Sequence, residues 1–206
     1  GEALPTVKAA CGDFENWIAL GLGCALEDVK VASPYDGEAL PPVESLGGVV
    51  VTGSPAMVSD REEWSEASAC WLADIVEGDS IPVLGLCYGH QLIAHALGGE
   101  VGPNPNGREM GTVEVKIDID KAGAAGDGLM VSGRFPGHMS HVESVLVPPS
   151  DAKVLATTEL EAHAALQFGP RQWGVQFHPE FNRDIMQRYV EARREILAGE
   201  GLDPDE

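Results

Sequence analysis

The run Gly85-Leu86-Cys87-Tyr88-Gly89 constrains this chain more than any other stretch. An apolar run, Ile81-Pro82-Val83-Leu84, precedes it, and a helix-like run, His90-Gln91-Leu92-Ile93-Ala94-His95-Ala96-Leu97, follows. That order reads as strand, sharp turn and helix, with a cysteine at the turn. Glycines two before and two after Cys87 let the backbone turn without a Cβ clash. The pattern is a thiol form of the nucleophile elbow, a strained turn that holds a reactive atom above a sheet edge. The N-terminus of the following helix points its partial positive charge at the sulfur and favours thiolate. The other cysteines, Cys11, Cys24 and Cys70, lack such a setting and read as packing residues.

A second run, Trp173-Gly174-Val175-Gln176-Phe177-His178-Pro179-Glu180-Phe181, begins as a strand. His178 falls at the strand end, and Pro179 stops the pairing by removing a donor. Glu180 lies two residues on, within reach of the imidazole. A thiol attacking an amide carbonyl needs a base beside it and a group that orients the base. Cys87, His178 and Glu180 supply all three, and triads are recognised by geometry rather than chain order. The backbone N–H of Tyr88, directly after the elbow nucleophile, is an expected oxyanion donor.

Together these stretches resemble the class I (triad) glutamine amidotransferases. Gly85-Leu86-Cys87-Tyr88-Gly89-His90-Gln91 resembles the family's nucleophile motif, and Val175-Gln176-Phe177-His178-Pro179-Glu180 its His-Pro-Glu motif. Val50-Val51-Thr52-Gly53-Ser54-Pro55 is similar to the family's oxyanion loop. His138-Met139-Ser140-His141 is similar to the loop that helps hold substrate in GMP synthetase amidotransferase domains. The resemblance covers nearly the whole chain and is nearest to the stand-alone GMP-synthase-like group. It implies Cys87, His178 and Glu180 as catalytic residues and Gly53 beside Tyr88 as backbone oxyanion donors. It implies Gln91, Ser140 and His141 as substrate contacts. Gln91 reads equally well as a helix residue bonded to a neighbouring loop, and Ser140 and His141 as the opening of the next strand. His90 and His95 read as packing or solvent-face residues.

The rest of the chain fits an α/β fold: a doubly wound, mostly parallel sheet flanked by helices, with added antiparallel strands and a flavodoxin-like core. Residues 48–52 form a buried-strand run, 62–75 a helix with Trp64, Ala67, Trp71 and Ile75 near one face, and 184–197 a closing helix. Gly98-Gly99 caps the nucleophile helix. Residues 111–117, 142–147 and 164–168 read as antiparallel strands covering the parallel core. Pro103-Asn104-Pro105-Asn106-Gly107 is a turn-rich loop, a candidate pocket wall or a plain surface loop. Residues 1–206 read as one amidotransferase domain. The family's first apolar strand has no clear counterpart here. Two readings stand: that strand is missing before Gly1, or residues 5–10 are a poor version of it.

Thirteen basic against 33 acidic residues give a net charge of −20, which argues against nucleic acid and anionic membranes as partners. A solvated acidic surface is the plainer reading, and adaptation to high salt the sharper one. Four cysteines without close spacing make neither a zinc pattern nor a disulfide framework. No metal and no cofactor are expected. With no membrane-length apolar run and no signal-peptide pattern, the chain reads as cytoplasmic.

Three functions follow. The first is hydrolysis of the glutamine side-chain amide through a cysteinyl thioester, with ammonia passed to a separate synthetase partner. No phosphate-binding glycine motif is present for the chain to activate an acceptor itself. The second is a γ-glutamyl hydrolase acting on another γ-glutamyl amide. The third, a non-enzymatic binding module, does not need a complete Cys-His-Glu set.

Overall fold

The computed structural model describes residues 1–117 and 133–205. Among these, the central sheet has seven strands in the order β1-β2-β9-β8-β7-β4-β5. Strands β1 (Val49–Val51), β2 (Val83–Leu86) and β9 (Gln172–Val175) run parallel to one another. Strands β8 (Ala165–Gly169), β7 (Lys153–Thr157), β4 (Glu109–Ile117) and β5 (Arg134–His141) extend the sheet with antiparallel pairings. A separate ribbon joins β3 (Glu100–Pro103) to β6 (Glu143–Val147). The expected parallel core with antiparallel additions is therefore present, and the antiparallel part is the larger.

Successive strand residues face opposite sides of a sheet, and the packing follows that alternation. On β2, Val83 joins one apolar cluster, and Leu84 and Leu86 join the other. The first side is covered by α3 (Glu63–Glu77) and α4 (Tyr88–Ala96), which bring Leu72, Ile75, Leu92 and Ile93 into the core. The second side is covered by α1 (Pro5–Cys11), α2 (Phe14–Leu22) and α5 (Arg183–Ala192), through Val7, Phe14, Trp17, Ile185 and Tyr189. A short α6 (Arg194–Gly199) follows α5. The single closing helix expected over 184–197 is thus broken at Arg193, whose φ of −114° and ψ of 11° depart from helical values.

Local chemistry explains the ends of these elements. Asp13 and Asn16 form a reciprocal capping box at the start of α2, and Gly23 closes that helix in the left-handed region. Asn182 caps α5 by accepting from the Ile185 N–H. Residues 5–10, read as a poor strand, are helical: Pro5 starts α1, where its missing N–H costs nothing.

Candidate active site

Strand β2 delivers Cys87 to the turn before α4. Cys87 adopts φ +51° and ψ −102°, a region a side-chain-bearing residue enters only where surroundings enforce it. Two close approaches do the enforcing. A Cβ on Gly85 would sit 2.5 Å from the Gly89 carbonyl oxygen, and one on Gly89 would sit 2.3 Å from the Val51 carbonyl oxygen. The Cys87 N–H donates to the Val175 carbonyl at 2.8 Å, tying the elbow to β9.

Beyond β9 the chain places His178 against that elbow. Its N–H donates to the His138 carbonyl at 2.8 Å, and its ring stacks on Phe181 at 4.1 Å. Nδ1 lies 2.7 Å from Glu180 Oε1, which leaves the other ring nitrogen for the thiol. Both side chains are almost sealed from solvent, at 4% and 3% exposure. Gly53 borders the ring, since a Cβ there would lie 3.0 Å from His178 Cε1.

The electrostatics of the pair follow from this packing. Burial alone would push the Cys87 thiol up, but the charge and hydrogen bond of His178 outweigh it and hold the thiol below its ordinary range. Burial likewise works against a charged His178, yet the Glu180 carboxylate and the Cys87 thiolate raise its pKa to about 10. The arrangement is a thiolate–imidazolium pair backed by a carboxylate.

The other expected residues fall around it. Tyr88 buries its ring beside Trp64 and Ser65, so it offers the site its backbone N–H, which as the first of α4 has no partner within the helix. The Gln91 amide nitrogen donates to the Glu143 carbonyl at 2.7 Å and to Gln176 Oε1 at 2.9 Å, inside the protein. Residues 138–141 are not a loop but the end of β5, paired along β4. There the Ser140 carbonyl oxygen lies 4.0 Å from Cys87 Sγ. The His141 ring is buried between Glu109 and the Glu143 carbonyl, so its side chain has no free nitrogen for a substrate. His90 is fully buried against Gly174 and Phe168, a packing residue, and His95 meets Glu66 and Arg61 near the surface. The 103–107 loop bonds to the Leu160 carbonyl through Asn104 and Asn106, away from the thiol.

The sequence reading missed a buried polar network behind the site. Glu109 accepts from Thr158 Oγ1 at 2.6 Å and from His141, while Glu161 accepts from Ser144 and from the His163 N–H. Glu143 accepts from Ser59. A signal for Glu109 was available: it opens the 109–117 run in the register of Val115 and Ile117, an acid on the face that buries apolar residues. A cavity of about 710 Å³, lined by Arg108, Glu109, Val190 and Leu197 among others, shares Glu109 with this network but includes neither Cys87 nor His178. Among the described residues no cluster of three or more His, Cys, Asp or Glu side chains is arranged to hold a metal ion. No described helix is long and apolar enough to cross a membrane.

The family model for class-I glutamine amidotransferases matches residues 16–193. The chain belongs to that family. It is 41% identical over 165 residues to the glutamine-hydrolyzing GMP synthase of Aeropyrum pernix, covering 78% of this chain and 28% of that one. It is 38% identical over 182 residues to a separate glutamine-hydrolyzing GMP synthase subunit of Ignicoccus hospitalis, covering 84% of this chain and 86% of the relative. The chain thus spans under a third of the longer relative and most of the shorter one. Among solved structures, a glutamine amidotransferase from Thermotoga maritima matches with a TM-score of 0.72 at 24% identity, over 91% of this chain and 79% of that one. At that identity the likeness bears on the fold, and it agrees with the α/β architecture described above.

Proposed function

We propose that this chain hydrolyses the side-chain amide of glutamine, releasing glutamate and ammonia for a synthetase partner. The observation that carries this reading is the buried line from Cys87 through His178 to Glu180 at a strained elbow. Membership of the amidotransferase family and the GMP synthase relatives support it.

In this reading the Cys87 thiolate attacks the amide carbon. The tetrahedral oxyanion is held by the backbone N–H groups of Tyr88 and Gly53. His178, cationic in the resting pair, gives its proton to the leaving nitrogen, and ammonia departs from a cysteinyl thioester. His178 then takes a proton from water, which attacks the thioester and frees glutamate and the thiolate. Glu180 keeps Nδ1 protonated and the ring in place. A thiol used this way needs a reducing compartment, which supports a cytoplasmic setting. The net charge of −20 supports a partner other than nucleic acid or an anionic membrane.

The test is glutamate and ammonia release from free glutamine by the purified chain, beside a panel of γ-glutamyl peptides and amines, with Cys87→Ala as the blank. Turnover of glutamine that vanishes in the blank supports the proposal. Good cleavage of another γ-glutamyl compound with little glutamine turnover replaces it with a γ-glutamyl hydrolase.

A further inference from the structure

Arg193 stands at the break between α5 and α6, half-buried, with its guanidinium over the Tyr189 ring at 5.4 Å. Its Nη1 donates to Ser140 Oγ at 3.3 Å. Acidic residues outnumber basic ones 33 to 13 in this chain, yet among the described residues no carboxylate lies within ion-pair distance of Arg193. Its neighbours Arg108 and Arg194 each have one: Arg108 holds Glu200 at 2.7 Å, and Arg194 holds Glu191 and Asp205 at 2.9 Å. The charged or ionisable groups that bear on Arg193 are Tyr189, Arg108 and Cys87. Burying a guanidinium without a counter-anion is costly, and its planar fork matches a carboxylate in a bidentate contact.

The location says which carboxylate. Ser140 touches both groups: its carbonyl oxygen is 4.0 Å from Cys87 Sγ, and its hydroxyl 3.3 Å from Arg193. Thiol and guanidinium therefore flank one residue at the end of β5. A γ-glutamyl group with its carbonyl carbon on the sulfur carries its α-carboxylate roughly 5 Å further along the chain, by ordinary C–C geometry. That is the reach needed to pass Ser140. We infer that Arg193 binds the α-carboxylate of the γ-glutamyl substrate and selects amides that carry one. The inference rests on the glutamine-amide reading of the thiol site.

The experiment compares two electrophiles at Cys87, with labelling located by peptide mapping because Cys24 and Cys70 are also exposed. 6-Diazo-5-oxo-L-norleucine carries the α-carboxylate, and iodoacetamide does not. In Arg193→Met, labelling by the diazo ketone at limiting concentration should slow about ten- to a hundred-fold, the worth of a charged hydrogen bond. Iodoacetamide labelling should stay near wild type. Arg193→Lys should recover part of the loss, and it carries the comparison if the methionine variant does not fold. In turnover, KM for glutamine should rise more than kcat falls. Equal slowing with both reagents would mean that Arg193 acts on the thiol through Ser140, and would overturn the inference. An unchanged diazo-ketone rate would overturn it too. A wild-type chain that takes iodoacetamide but ignores the diazo ketone would instead bring down the glutamine reading, and this inference with it.

Discussion

Glu109 Oε2 lies 3.2 Å from His141 Nε2, with the side chains only 3% and 1% exposed. On its other side the His141 ring places Nδ1 2.9 Å from the Glu143 carbonyl oxygen. A carbonyl only accepts, and so does a carboxylate, so both ring nitrogens must donate and the ring is an imidazolium. Burial opposes that charge, but Glu109 and the Cys87 thiolate outweigh it and raise the His141 pKa. The cation in turn helps hold the Cys87 thiol down.

Replacing Glu109 with glutamine should therefore do two things. It leaves a buried cation without its counter-charge, a loss of about 3–5 kcal/mol in urea unfolding. It also removes one of the positive charges that favour thiolate, so the pH profile of Cys87 alkylation should move to higher pH. The sign of the stability effect with pH is fixed as well. A raised folded pKa contributes fully below the ordinary histidine value of about 6.5 and is lost as pH rises through the folded value. That alkaline decline should be shallower in Glu109→Gln. A variant with wild-type stability and profile would leave His141 neutral and this account wrong.

The elbow's glycines give a sharper contrast. A Cβ on Gly89 would overlap the Val51 carbonyl at 2.3 Å, which is backbone and cannot swing aside. Gly89→Ala should yield insoluble protein, or a fold in which β1 and α4 have parted and Cys87 alkylates as an ordinary thiol. Gly21, near the end of α2, has nothing within 4 Å of the place a Cβ would take. Gly21→Ala should stabilise by about 0.5–1 kcal/mol, the helix advantage of alanine over glycine. Thermal melts of the two variants side by side would check both.

What could be read along the chain was what depends on neighbours in sequence. The strand, turn and helix around Cys87 are set by sterics within five residues, and the Glu180 contact to His178 spans two. The alternation over 111–117 and the caps at Asp13 and Gly98-Gly99 are local in the same sense. Contacts across the fold were not legible. Glu109 meets His141 across 32 positions, and Gln91 meets Gln176 across 85. Residues 138–141 looked like a loop because half of β5's pattern, with Pro136 and Gly137, carries no apolar alternation; pairing with β4 overrides it. Arg193 did leave a trace: Tyr189 and Arg193 are four apart, on the face that Ile185 buries, so a charge sits where an apolar residue belongs.

His90 predicts an acid limb. Its ring is fully buried, and neither nitrogen reaches a partner at good hydrogen-bond geometry among the described residues. Burial, with help from the neighbouring His163 and His141, drops its pKa to about 3. The unfolded chain takes this proton near pH 6.5, well before the folded one does. The contribution is thus present above about 6.5 and lost as pH falls toward 3, with a slope of about 1.4 kcal/mol per pH unit. His90→Gln cannot titrate, so its stability should fall less steeply over that window whatever its absolute value. Urea midpoints at pH 4, 5 and 6 would decide; parallel curves for the two proteins would show that His90 is protonated in the fold.

Glu180 offers a way to separate orientation from charge. Oε1 accepts from His178 Nδ1 at 2.7 Å, while the buried Oε2 has no donor among the described residues. A carboxylate kept half-satisfied in the interior is costly, so its charge must serve something, and the raised pKa of His178 names it. Glu180→Gln keeps an acceptor for Nδ1 but removes the charge. Turnover should fall by about 10⁴-fold, against about 10⁶-fold for His178→Ala, the spread seen between carboxylate and base in a comparable triad. His178 should also lose basicity, so that Cys87 alkylation near neutral pH slows toward that of a free thiol. If Glu180→Gln lost turnover yet kept the wild-type alkylation profile, the carboxylate would act on the leaving group's proton rather than on the resting ion pair.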